Sequence, residues 1–66
     1  MSRPKVATSS DPGLMREALA EIYTQDFVPL TVARRARWMI GEIHRLTGIS
    51  RAEIIANAKA DAECIA

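Results

Sequence analysis

Apolar residues recur at helical spacing in two stretches of the chain and break off between them. Met15, Leu19, Ile22 and Tyr23 fall three or four residues apart, the spacing of one face of an α-helix, and predict a first helix from about Pro12 to Gln25. Asp11 is suited to cap it by accepting a backbone N–H, and Pro12 fits the first helical position, where a missing donor costs nothing. Gly13 weakens that first turn. In D-F-V-P-L, Pro29 disfavours helical geometry at Val28 and has no N–H to give, so the helix must stop. Beyond it Val32, Ala36, Met39, Ile40, Ile43, Leu46 and Thr47 gather on one side of a second helix, opposite Arg34, Arg37, Gly41 and Arg45. Thr31 is its expected N-cap.

The stretch T-G-I-S-R-A-E-I-I, Thr47 to Ile55, sets a helix stop beside a helix start. Gly48 can adopt the left-handed conformation that ends a helix, and Ser50 with Glu53 makes an S-x-x-E capping box. Ile49 and Ile54 can close as a hydrophobic staple over the corner. The following alanine-rich run has Asn57 where a turn could fall and Asp61 suited to a new N-cap, which predicts a short third helix and then a break. A single helix to the end is the alternative, favoured by the helix propensity of alanine. The predicted core is Met15, Leu19, Ile22, Val32, Ala36, Met39, Ile40, Ile43, Leu46, Ile49, Ile54 and Ile55. The fold class is all-α, with three to four short helices in a helix-turn-helix-like arrangement over residues 11–66. Residues 1–10, with Pro4, small polar residues and no apolar period, read as a flexible arm.

Length tightens this picture: a 66-residue chain hides only about 60% of its unfolded surface, so its stability is small. Net charge is only +1, but the charges are segregated. Asp11, Glu17, Glu21 and Asp26 face a lone Arg16 in residues 11–30, whereas Arg34, Arg35, Arg37, Arg45 and Arg51 stand against Glu42 alone in residues 31–51. Such a cluster raises the local potential felt by a polyanion. Arg3 and Lys5 in the arm carry two further positive charges.

Several chemistries drop out. No run approaches the roughly 20 apolar residues of a transmembrane helix, and no apolar signal core opens the chain, so a cytoplasmic location is expected, without membrane association. The lone Cys64 cannot form an internal disulfide. His44 has no cysteine or carboxylate at metal-ligand spacing and reads as a surface histidine. A helical chain of this size offers little cavity in which to hold a nucleophile beside a base. The reading is of a non-enzyme with no cofactor, no metal and no small-molecule substrate.

From Arg34 to Lys59, R-R-A-R-W-M-I-G-E-I-H-R-L-T-G-I-S-R-A-E-I-I-A-N-A-K resembles the start of the C-terminal DNA-binding domain of the bacterial replication initiator DnaA, a fold related to the Trp repressor. Ile49, Ser50, Glu53, Ile54 and Ile55 match that family's corner and short helix, and the likeness covers about half of the chain. It implies a helix-turn-helix that binds double-stranded DNA. Where the family has an Arg- and Lys-rich loop and recognition helix, this chain has Ala58, Ala60, Asp61, Ala62 and Glu63, with Lys59 alone basic. Direct readout is therefore expected to be poor there.

Together these features predict a DNA-binding regulator of transcription or replication, of a compact type common among phage-derived genes. Arg34, Arg35, Arg37, Arg45, Arg51 and Lys59 would meet phosphates, any base readout would come from residues 59–66, and a homodimer or second subunit would supply further area. The rival is a protein-binding adaptor or inhibitor that uses Trp38 and Phe27 as anchors. Trp38 itself reads either as such an anchor or as a cap on the core's edge against the first helix.

Overall fold

The computed structural model describes residues 11–65, which form three helices packed around one core, with no strand among the described residues. The predicted arm, residues 1–10 with Arg3 and Lys5, lies outside the described residues. Helix α1 spans Pro12–Tyr23, α2 Leu30–Thr47 and α3 Arg51–Ile65.

Helix α1 begins as its sequence requires: Asp11 sits in extended geometry, its Oδ1 accepts the Gly13 N–H at 2.9 Å, and Pro12 follows. It ends at Tyr23, two residues before the expected Gln25. Thr24 folds back there, its hydroxyl donating to the Glu21 carbonyl at 2.6 Å. The cap of α2 also differs from expectation. Pro29, at φ −60° and ψ 155°, is the N-cap, and its carbonyl takes the Ala33 N–H at 2.9 Å. That bond closes the first turn with Thr31 already inside it, leaving no capping role for the threonine.

The turn from α2 to α3 is tightly determined. Gly48 is left-handed at φ 78°, and its N–H bonds the His44 carbonyl at 2.9 Å. Ile49, between the two helices, finds no helical partner for its backbone, and the last turn of α2 supplies both. Thr47 Oγ1 accepts the Ile49 N–H at 3.2 Å while donating to the Ile43 carbonyl at 2.7 Å. His44 Nδ1 donates to the Ile49 carbonyl at 2.7 Å. Ser50 then opens α3, its Oγ accepting the Glu53 N–H at 3.2 Å and its carbonyl the Ile54 N–H at 2.9 Å. The Ile49 side chain packs on the core beside buried Ile54, as a staple would.

The expected break at Asn57 and Asp61 is absent: α3 runs unbroken to Ile65. Alanine propensity favours continuity, and tertiary contacts hold it. Ile54, Ala58 and Ala62, four residues apart, form the buried stripe of α3, which packs most extensively against α1. Asp61, rather than capping a new helix, is bonded by Arg16 of α1. The core joins Met15 and fully buried Leu19 to Ala36, Met39, Ile40 and Ile43, and to Ile54 and Ala58. Ile22, Tyr23, Ile49 and Ile55 pack around it. Two expected core residues fall short: Val32, on the first turn of α2, is half-buried, and Leu46 is 41% exposed. Leu46 lies about 60° round the helix from Ile43, at the rim of the apolar arc. Ala20, Ala58 and Ala62, absent from the expected core, are buried in their place.

Two stability measurements test this account by chemical unfolding followed by circular dichroism. Ala58→Leu forces three carbons into a closed seam and should cost about 1–3 kcal/mol, whereas Ala60→Leu on the exposed side should stay within about 0.5 kcal/mol of the parent. Gly48→Ala puts a side chain at positive φ and should cost about 1–2 kcal/mol, although no atom lies within 4 Å of the added carbon.

Candidate nucleic-acid interface

The outer side of α2 carries the residues singled out from the sequence. Arg34, Trp38, Gly41 and Arg45 lie along one line of the helix, with Arg37 one step round from Arg34. Arg34, Arg35, Arg37 and Arg45 are all exposed. Trp38 is 54% exposed, which leaves it open to solvent on one part and covered on the other. Phe27, in the segment joining α1 to α2, is 78% exposed, and Leu30 at the head of α2 is 67% exposed.

The α2–α3 corner adds a residue to this side. A Cβ built on Gly41 would lie 3.8 Å from a guanidinium nitrogen of Arg51, so Arg51, the first residue of α3, reaches back over the bare backbone of α2. It arrives on the stretch of α2 between Trp38 and Arg45, close enough to touch an alanine at position 41 in ordinary contact. Among the described residues, Arg34, Arg35, Arg37 and Arg51 enter no ion pair. Arg45 differs. Its guanidinium bonds Glu42 three residues earlier, at 2.7 and 3.4 Å, and this holds the Glu42 carboxyl below its ordinary range, chiefly through the hydrogen bond. Its charge is thus partly offset by the neighbouring carboxylate, and Glu42 sits beside it as a repulsive neighbour for an anion.

Lys59 does not join the arginines. Its ammonium sits 5.8 Å from the centre of the Tyr23 ring, in cation–π range, beside a shallow pocket lined by Tyr23, Thr24, Lys59, Ala62 and Glu63. Partial burial pushes the Tyr23 phenol above its usual pKa. Two further residues of the segment assigned to base readout are committed elsewhere: Ala62 is buried, and Asp61 accepts from Arg16 at 2.6 and 3.2 Å, while Ala60, Glu63, Cys64 and Ile65 are exposed. No separate recognition helix follows the corner among the described residues. His44, read as a surface residue, is half-buried and clamps the corner. Its role depends on a loop carbonyl five residues away, which spacing alone does not reveal.

Among the described residues no group of three or more metal-ligating side chains converges, and no helix is long and apolar enough to cross a membrane. A pocket of about 200 Å³ opens between the start of α1 and the corner, lined by Pro12, Gly13, Arg16, Ile43, Thr47, Ile49, Ile54 and Asn57. It holds no nucleophile–base pair, its one ionic group being Arg16, already bonded to Asp61. The chain matches no protein-family model, and no curated protein or solved structure matches it.

The Arg16–Asp61 pair ties α1 to α3 across 45 residues of sequence, with both side chains well exposed and the pair therefore screened. Arg16 holds the Asp61 carboxyl below its ordinary pKa, chiefly by hydrogen bonding. A depressed folded pKa stabilises above the unfolded value, about 3.9 for Asp, and that stability is lost as pH falls through the lower folded value. Asp61→Asn should therefore melt below the parent at pH 7, and the gap should close as pH drops below about 4. A gap that stays constant down to the acid limit would show that the carboxylate charge is not what Arg16 uses.

Proposed function

We propose that this chain is a non-enzymatic DNA-binding regulator of transcription or replication that holds phosphates on the outer side of α2. The observation that carries the reading is the set of exposed arginines without ion pairs, Arg34, Arg35 and Arg37 on α2, joined by Arg51 across Gly41. Phosphate contacts fix a protein on nucleic acid without reading sequence, and Arg34, Arg37 and Arg51 on the outer side of α2, with Arg35 at its flank, provide that positioning. Arg45, its charge partly offset by Glu42, contributes less, and Lys59 stands apart beside Tyr23. With Ala58 and Ala62 buried and Asp61 bonded to Arg16, α3 serves as a brace, and a partner subunit or second copy would have to supply base readout.

A second reading, a protein-binding adaptor or inhibitor, is favoured by the exposure of Phe27, Leu30 and Trp38, because aromatic anchors dominate protein interfaces. Salt separates the two. Each phosphate neutralised contributes about −0.9 to the slope of log K against log salt, so four arginines give about −3.6. An apolar anchor gives a slope near zero. Anisotropy titrations of labelled duplex DNA at several ionic strengths should yield the steep slope, and Arg34→Glu with Arg37→Glu should abolish binding at moderate salt. Absence of binding to duplex DNA even at low salt would remove the double-stranded reading.

A further inference from the structure

We infer that the outer side of α2 is built for an unpaired strand, with Trp38 stacking on a base while Arg34, Arg37 and Arg51 hold the adjoining phosphates. The inference rests on the phosphate-binding reading above and adds the state of the strand bound.

Three observations carry it. The indole of Trp38 is 54% exposed at the middle of α2, far more than a single tryptophan in so small a core would be if its burial were needed for stability. Among the described residues no cation covers its ring, the one cation–π contact being Lys59 on Tyr23, so no cation competes with a base for its π face. The residue one turn further along the same line is Gly41, which leaves bare backbone beside the indole, and the Arg51 guanidinium overhangs that gap. An aromatic plate with a notch beside it, ringed by cations, matches what a single strand presents: a flat π surface flanked by phosphates.

The alternatives fit less well. In a duplex the bases stack on one another and offer no face to the indole without unstacking, which costs a few kcal/mol per step. An apolar socket on a protein would take Trp38 but would strip water from Arg34, Arg37 and Arg51 around it, a penalty recovered only if each meets a partner. Phosphates provide those partners at the spacing of a flexible chain.

Trp38 is the only tryptophan, so its fluorescence reports the event directly in the unmodified protein. Titration with oligo(dT) of about 12 nucleotides, within the range of known single-strand site sizes, should quench the emission saturably and with higher affinity than a duplex of the same length. Oligo(U) of the same length tells DNA from RNA, and quenching by either polymer supports the stacking. Trp38→Ala should weaken oligo(dT) binding roughly 5- to 150-fold while leaving duplex binding within about twofold, and Trp38→Phe should retain most of the affinity. Circular dichroism checks that each variant folds, and the wild-type quench stands without them. Oligo(dT) binding with unchanged emission and unchanged affinity in Trp38→Ala would overturn the inference while leaving the phosphate reading intact. Equal quenching and affinity with duplex would overturn the strand preference, and binding of neither polymer at low salt would remove both proposals.

Discussion

The arrangement depends on satisfying the backbone of Ile49. A residue held between two helices has an N–H and a carbonyl that neither helix can use; the exposed N–H could turn to water instead, whereas leaving the half-buried carbonyl unpaired costs up to about 1–3 kcal/mol. Here Thr47 and His44, both on the last turn of α2, close those two groups, and left-handed Gly48 makes the reversal that allows it. The direction of α3 follows, and with it the seam against α1 and the reach of Arg51 over Gly41. In a domain that buries so little surface, one such corner is a large share of what selects a single fold.

Charge segregation in the sequence takes a spatial meaning only after that corner is formed. Arg34 and Arg37 are neighbours on the outer side of α2 in any helical reading, with Arg35 about 100° round from Arg34, but Arg51 belongs to another helix and comes beside Gly41 only because the turn is tight. The same geometry disperses the remaining basic residues. Lys59 is carried to Tyr23, Arg16 to Asp61, and Arg45 is drawn to Glu42 on its own helix. Among the described residues, the arginines left without ion pairs are Arg34 and Arg37 on the outer side of α2, Arg35 at its flank and Arg51 beside Gly41.

Much of this was legible in the residues themselves, and the part that was not has a common cause. The apolar period of α2, the Asp11-Pro12 start and the Gly48-Ser50 corner are local signals, and each is present where the residues place it. The continuity of α3 is hidden in the sequence because its face is marked by alanines: Ala58 and Ala62 are buried while Ala52, Ala56 and Ala60 are exposed, and a residue found equally on both sides gives no hydrophobic contrast to read. Asp61 resembled a cap because its true partner, Arg16, is remote in sequence. Thr31 lost its capping role to a carbonyl, that of Pro29, which sequence preferences for side-chain caps do not weigh. The candidate site divided in the same way: neighbours on α2 were visible, whereas the addition of Arg51 and the loss of Lys59 depend on how helices cross.

The stripe of Ile54, Ala58 and Ala62 has a consequence for how this sequence can drift. Both small side chains at the last two positions are buried where α3 packs on α1, so larger replacements there are disfavoured, while the exposed intervening alanines are free to become charged or long. Descendants of this chain would therefore keep a pair of tiny residues one turn apart in a helix that otherwise diverges, and that spaced pair, more than any shared basic residue, would be the trace by which distant kin are found.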